Sequence, residues 1–252
     1  MTVHPEEPAV SPNEQESYPT LQTLPEAARE EEADRLDDDE RDLWSPGLPD
    51  TAFVRGGAAL VPSEVRVLAL AKAHLFPTAK VLDIGAGGGG LSVEAGLLCS
   101  EGQVVAYEHD QQARTVLRLN LDRFDLGSVR IAESRSLSPG DLGRFDRVLL
   151  SGDSRIAEML EAIPLLLNPG GRLVAITGTV ETTGRVMSAL RGWPWEGFEA
   201  VQMSLARAAP SGSMLRLNAL DPVWIMAADL ARDGRGGLRD AESPGEERDT
   251  GK

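Results

Sequence analysis

Two carboxylates and a glycine run carry the chemistry of this chain. Asp83 stands near the end of the apolar segment Val81-Leu82-Asp83-Ile84, and Gly85-Ala86-Gly87-Gly88-Gly89-Gly90 follows at once. Glycine reaches φ values closed to other residues and lets a ligand lie against the main chain. The next residues, Leu91 to Leu98, read as a helix. An apolar strand, a glycine turn and a helix N-terminus together make a nucleotide-type site. The spacing fits G-x-G-x-x-G (Gly85, Gly87, Gly90) and G-x-G-x-G (Gly85, Gly87, Gly89) equally. Asp83 separates the two readings. A fixed negative charge two residues before the first glycine repels a pyrophosphate and suits a cation such as S-adenosylmethionine, with its sulfonium and ammonium groups. Glu108 closes a second apolar run, Val104-Val105-Ala106-Tyr107, nineteen residues after Gly89. A carboxylate there accepts hydrogen bonds from both ribose hydroxyls. A flexible glycine linker would not be flanked by an apolar strand and an apolar helix.

These residues need a scaffold. The chain has 252 residues, enough for one domain of common size with tails. The formal net charge is −15. Residues 1–50 hold fifteen Asp or Glu and three Arg, a net of −12, which leaves −3 for residues 51–252. A nearly neutral folded part argues against a general nucleic-acid binder. Cys99 is the single cysteine, so no internal disulfide is expected. His4, His74 and His109 are scattered, and no Cys/His spacing resembles a zinc site. The first residues lack a basic segment and an apolar core of the secretory type, and no apolar run has the length of a membrane span. The cytoplasm is the expected location.

Residues 1–45 are rich in Pro, Glu, Asp and Ser and are expected to be a disordered acidic tail. Residues 232–252 are expected to be a second polar tail. The domain between, residues 46–231, alternates in the α/β manner. Ser63 to His74 reads as a helix with Val65, Leu68, Leu70 and Ala71 inward. Strands are expected at Lys80 to Ile84, Gln103 to Glu108, Ser128 to Ala132, Phe145 to Leu150 and Arg172 to Thr177. Asp110 is placed to cap a helix whose apolar stripe is Val116, Leu117, Leu119 and Leu121. Ile156 to Leu167 and Thr182 to Leu190 are further helices, and Asn168-Pro169-Gly170-Gly171 is a turn. Glu199 to Ala206 and Pro222 to Ala228 have no helix between them and are expected to form an antiparallel edge hairpin, joined by a loop with Pro210 and Gly212. The sum is a Rossmann-like, seven-stranded, mostly parallel sheet with helices on both faces. Its ligand sits outside the carboxyl ends of the first two strands.

This arrangement resembles the class I S-adenosylmethionine-dependent methyltransferases, with Leu167-Asn168-Pro169-Gly170-Gly171-Arg172-Leu173-Val174 as their turn into strand five. Further stretches narrow the match. They are Gly47-Leu48-Pro49-Asp50-Thr51-Ala52-Phe53, Ser63-Glu64-Val65-Arg66-Val67-Leu68, Asp83 through Glu94, and Val201-Gln202-Met203-Ser204-Leu205-Ala206-Arg207 running on to Asp221-Pro222-Val223-Trp224-Ile225. Together they resemble the decarboxylating precorrin carbon-15 methyltransferases of cobalamin biosynthesis, over about residues 47–228. The resemblance implies methyl transfer from S-adenosylmethionine to carbon 15 of a reduced tetrapyrrole, with loss of an acetate side chain as carbon dioxide. It also implies a tetramer and, in many organisms, a carbon-5 methyltransferase as partner or fused domain.

The site residues follow from both readings. Gly85, Ala86, Gly87, Gly88 and Gly89 are expected at the methionine end, Asp83 at the ammonium group and Glu108 at the ribose. Arg207 and Arg216 are candidates for the acceptor's carboxylates, because guanidinium pairs with carboxylate in a bidentate fork. Arg66 and Arg155 are weaker candidates, and Glu94 is either a structural carboxylate or a ligand contact. Three places depart from the family pattern. Val61-Pro62 stands where a Thr-Lys pair is usual. Ser134-Arg135-Ser136 replaces Gly-Asp-Ala beside the adenine and leaves Ser136 as a partial substitute. Ser151-Gly152-Asp153-Ser154-Arg155 replaces a glycine-rich turn by the substrate. The competing readings are a tRNA adenine methyltransferase, which needs a basic face, and a non-catalytic S-adenosylmethionine-binding subunit docked through the acidic tail. A nicotinamide dehydrogenase is disfavoured by Asp83 and by the lack of a catalytic His or Tyr/Lys pair.

Overall fold

The computed structural model describes residues 46–132, 137–152 and 156–232. The tail over 1–45, nearly all of the tail over 232–252, Ser134 to Ser136 and Asp153 to Arg155 lie outside the described residues.

Alternation along the strands decides the architecture. The central strands β1 (Lys80–Ile84), β2 (Gln103–Tyr107), β4 (Phe145–Ser151) and β5 (Leu167–Thr177) send side chains to two separate apolar cores. Val81, Val104, Ala106, Leu149, Val174 and Ile176 enter one core, while Leu82, Ile84, Val105, Val148, Leu150, Leu173 and Ala175 enter the other. Strands buried on both faces read as continuous apolar runs, and a parallel sheet covered on both faces requires that. The first core is closed by α1 (Ser63–Ala73), α2 (Gly90–Leu98) and α3 (Gln111–Arg123). The second is closed by the short α4 (Pro139–Leu142), α5 (Ile156–Leu166) and α6 (Val180–Leu190).

The seven-stranded sheet has the order β3-β2-β1-β4-β5-β9-β6, with β3 at Val129–Ile131, β6 at Trp195–Met203 and β9 at Val223–Leu230. β9 is antiparallel to both of its neighbours, and the other pairings, β3-β2, β2-β1, β1-β4 and β4-β5, are parallel. The expected Rossmann-like sheet and its antiparallel edge pair are therefore present. The strand order reverses between β1 and β4, so a crevice opens at their carboxyl ends. At the other end of the sheet Arg172 is bonded to Asp229 at 2.9 Å and to Glu199, which also holds Lys72.

Some local expectations are corrected. The segment between β6 and β9 is a separate two-stranded hairpin, β7 (Ala206–Ser211) with β8 (Met214–Ala219), and Gly212 turns it at φ +63°. In α1 Ala71 is exposed, while Arg66, Ala69 and Ala73 are buried, because Arg66 turns inward to meet protein acids. In α3 Leu119 is 37% exposed and Asn120 takes the inner position. Asp110 caps α3 as expected, accepting the Ala113 amide at 2.7 Å. The Asn168-Pro169-Gly170-Gly171 turn is absorbed into β5 as an irregularity, with Leu167 opposite Phe145 and Arg172 opposite Arg147.

Candidate active site

The glycine turn lies between β1 and α2, and its amides from Gly85 to Gly89 are all engaged within the protein. Gly85 and Ala86 donate to the Tyr107 carbonyl at 2.9 and 3.3 Å, Gly88 to Ala59 at 2.8 Å and Gly89 to Ala86 at 2.8 Å. Gly87 donates to Glu108 Oε2 at 2.8 Å. The glycines are demanded by packing as well as by any ligand. A Cβ on Gly85, at φ +77°, would lie 2.1 Å from the Ser151 carbonyl oxygen, and one on Gly87, at φ +56°, 2.5 Å from that of Ala59. Neighbouring main chain fills the direction a side chain would take at these two residues, while their backbone still borders open space.

The wall over the turn is a strap, residues 47–62, that enters the domain ahead of α1. It is pinned by side chains from three helices. Asn120 of α3 receives the Val54 amide at 2.7 Å and donates to Val54 and Gly88 carbonyls at 3.0 and 2.7 Å. Glu94 of α2 accepts the Gly47 amide at 2.8 Å. Arg66 of α1 reaches the Leu48 and Val61 carbonyls. Phe53 packs on Phe124 with ring centroids 5.1 Å apart. Asn120 went unnoticed in the sequence, although it sits three and four residues after Leu117 and Val116 on the inner stripe.

A cleft opens at the switch point. Ala59, Val61, Pro62 and Val65 form one side, Gly85, Ala86 and Gly87 the floor, and Ser151 and Gly152 the other side. Ile176, Gly178 and Val223 close the far end, so the lining is mostly apolar. Ser151 Oγ donates to the Gly85 carbonyl at 2.9 Å and ties β4 to the turn. The Val61-Pro62 pair is in the wall of this cleft. Its main chain offers little to a ligand, since proline has no N–H and the Val61 carbonyl is taken by Arg66.

Asp83 and Glu108 are both buried beside the turn. Asp83 Oδ2 accepts from Ser92 Oγ of α2 at 2.6 Å, and its Oδ1 has no hydrogen-bond partner. Burial pushes the Asp83 carboxyl up to about 7, against the Ser92 bond and with the help of the Glu108 charge. The fixed charge read from the sequence is thus corrected to one that titrates near neutrality. Glu108 Oε1 accepts the Asp110 amide at 2.8 Å and lies 3.2 Å from His109 Nδ1. A carboxylate has about four acceptor sites, so both acids keep capacity for a ligand's donors. A buried orphan carboxylate oxygen and a second acid at the next strand tip fit a ligand with an ammonium group and ribose hydroxyls.

The arginines divide. Arg207 on β7 pairs with Glu64 at 2.5 Å and Asp50 at 2.8 Å, and it faces those acids rather than lining the cleft. Its hydrogen bond holds the Glu64 carboxyl down to about 2. Arg216 lies opposite Ala209 on the exposed β8 and has no hydrogen bond or ion pair among the described residues. Arg66 and Glu94 are fully buried and paired at 2.6 Å, so both are structural here. Ser136 and Arg155 lie outside the described residues.

Comparison with known proteins places this geometry. The family model described as precorrin methyltransferase domain matches residues 49–229. A Sulfurisphaera tokodaii protein named probable cobalt-precorrin-6B C(15)-methyltransferase (decarboxylating) is 32% identical over 185 residues, 72% of this chain and 96% of that one. A Salmonella typhimurium protein named cobalt-precorrin-6B C(15)-methyltransferase (decarboxylating) is 29% identical over 187 residues, 71% of this chain and 94% of that one. The crystal structure of precorrin-6y C5,15-methyltransferase from Geobacter metallireducens superposes with a TM-score of 0.68 at 26% identity, covering 73% of this chain and 100% of that one. The match runs from the strap to the last strand, through every element that builds the cleft, and the chain belongs to the precorrin methyltransferase family.

Proposed function

We propose that this chain transfers a methyl group from S-adenosylmethionine to carbon 15 of a precorrin or cobalt-precorrin, with decarboxylation of an acetate side chain, as a step of cobalamin biosynthesis. The observation that carries the donor half is the buried, unpartnered Asp83 Oδ1 beside Glu108. The curated relatives' names carry the acceptor half.

When bound, S-adenosylmethionine supplies an electrophilic methyl group. Asp83 takes the ammonium group, Glu108 the ribose hydroxyls, and the turn Gly85 to Gly89 bounds the methionine end. Ser136 is assigned to the adenine. An electron-rich ring carbon needs alignment with the methyl group and no strong protein nucleophile, so positioning is the chain's main contribution. The apolar lining of Val61, Pro62, Ile176 and Val223 keeps water from a carboxylate held there, which favours loss of carbon dioxide. Arg216, which has no hydrogen bond or ion pair among the described residues, is assigned to the acceptor's carboxylates. Arg207 joins it by exchanging its Glu64 pairing for a substrate carboxylate.

β8 exposes Met214, Leu215 and Leu217, each more than 70% accessible, which supports assembly of copies of this chain, a tetramer by family resemblance. A carbon-5 methyltransferase is a further proposed partner. Among the described residues no helix is long and apolar enough to cross a membrane, and the cytoplasm is the proposed compartment.

Incubation with methyl-labelled S-adenosylmethionine and a panel of precorrins tests this reading by mass spectrometry. The expected product gains one labelled methyl group and loses one carbon dioxide. Cofactor binding with no turnover on any precorrin would instead favour a non-catalytic subunit.

A further inference from the structure

Arg66 has no exposed surface, yet its guanidinium meets four protein acceptors. Nε donates to Glu94 Oε1 at 2.6 Å, Nη1 to Asp50 Oδ1 at 2.7 Å and to the Val61 carbonyl at 2.5 Å, and Nη2 to the Leu48 carbonyl at 2.5 Å. The cation also lies 4.8 Å from the centre of the Phe53 ring. A buried ion pair adds little stability over well-packed apolar residues, so stability alone does not call for arginine here. A rigid fork of five donors does something a lysine or leucine cannot: it fixes several acceptors relative to one another.

The acceptors are distributed tellingly. Leu48 and Asp50 lie at the start of the strap and Val61 at its end, so one guanidinium closes the strap into a loop. Glu94 bolts that loop to α2, one turn after the glycine run. A Cβ on Gly90 would lie 3.0 Å from Arg66 Cδ, so the arginine stem rests on the first residue of α2. Asp50 then extends the array: its second oxygen holds Arg207 of β7 at 2.8 Å, and Arg207 holds Glu64 of α1. The strap carries Ala59, Val61 and Pro62 into the cleft wall.

We propose that Arg66 is a positioning residue that sets the wall of the donor cleft, and that Asp50 couples that wall to the β7–β8 hairpin. The inference rests on the donor-cleft reading above. Asp50→Asn keeps the size and one acceptor but turns an amide NH2 toward Arg207. S-adenosylhomocysteine is titrated calorimetrically into the full-length wild type and the variant, each well below its ligand-free melting temperature. Hydrogen exchange is followed over residues 48–61. The variant is expected to bind about tenfold more weakly, a common size for outer-shell support, with faster exchange in the strap. Equal affinities overturn the proposal, whatever the two melting temperatures are, because a purely structural pair would change melting alone. A wild type that does not bind overturns the donor-cleft reading and this inference with it. Should Asp50→Asn fail to fold, Arg207→Gln, at a side chain 39% exposed, cuts the link between Asp50 and β7: weaker binding with faster strap exchange supports the coupling, and equal affinities overturn it.

Discussion

Glu108 Oε2 accepts the Gly87 amide at 2.8 Å, so the acid at the tip of β2 is bonded into the glycine turn that follows β1. Glu108→Ala strips the acceptor from Gly87 and Asp110 together with any ribose contact. Cofactor affinity is expected to fall by about 1–3 kcal/mol, the cost of orphaning such donors. Glu108→Gln keeps one carbonyl acceptor and should lose less. Calorimetry with S-adenosylhomocysteine checks both, and unchanged affinity in the alanine variant would refute the ribose role.

Asp83 gives stability a pH dependence of a definite sign. Its carboxyl releases its proton at about 7 in the folded chain and near the ordinary aspartate value of 3.8 when unfolded. Between those values the folded state holds the extra proton, so stability falls as pH rises through the window. Asp83→Asn removes the buried charge. It should raise ligand-free stability on the order of 2 kcal/mol at pH 8 and leave it nearly unchanged at pH 4. Thermal melts at the two pH values make the comparison, and an equal effect at both would contradict the assignment. The same variant is expected to bind S-adenosylmethionine more weakly.

Gly85→Ala places a methyl group against the Ser151 carbonyl at a positive φ. Backbone cannot move aside as a flexible side chain does, and the expected loss is about 2 kcal/mol or more. Gly184, within α6, is the control, since a Cβ there meets nothing within 4 Å. Gly184→Ala should gain about 0.5–1 kcal/mol from helix propensity. Urea titrations of both variants test the contrast; similar midpoints would mean the turn tolerates a side chain.

Glu94→Ala leaves Arg66 buried without its 2.6 Å partner and the Gly47 amide without its acceptor. Removing one member of a buried pair costs about 3–5 kcal/mol. A denaturant midpoint close to wild type would show that Arg66 finds compensation elsewhere.

The strands and the two acids were legible because burial writes itself into composition. β1 and β2 are apolar on both faces and end beside carboxylates that no core would otherwise tolerate. β7 and β8 were not legible for the converse reason. Every residue of β8 is exposed, so no buried face imposes alternation, and the pairing is made by backbone groups common to all residues. The strap was hidden in the same way. Apart from the Asp50 carboxylate, its contacts with Arg66 and Gly88 run through the carbonyls of Leu48, Ala59 and Val61, which no side-chain pattern records. Arg66 is the salt-bridge partner its place in the first helix suggested, but its full burial was not legible, because a cation on an amphipathic helix ordinarily faces water. Here Asp50 and Glu94, sixteen residues before and twenty-eight after it, draw it inward.

Because the segment ahead of α1 forms one side of the cleft, the catalytic unit begins well before its first strand. A shortened gene opening at Ser63 would still encode every strand of the sheet and all six helices described above. It would nonetheless produce a half-built cavity, with the Gly88 amide stripped of its Ala59 acceptor and Arg66 deprived of three of its four acceptors. Truncation to residue 45 should be silent by comparison, and the interval between those two start points is where folding and ligand capture part company.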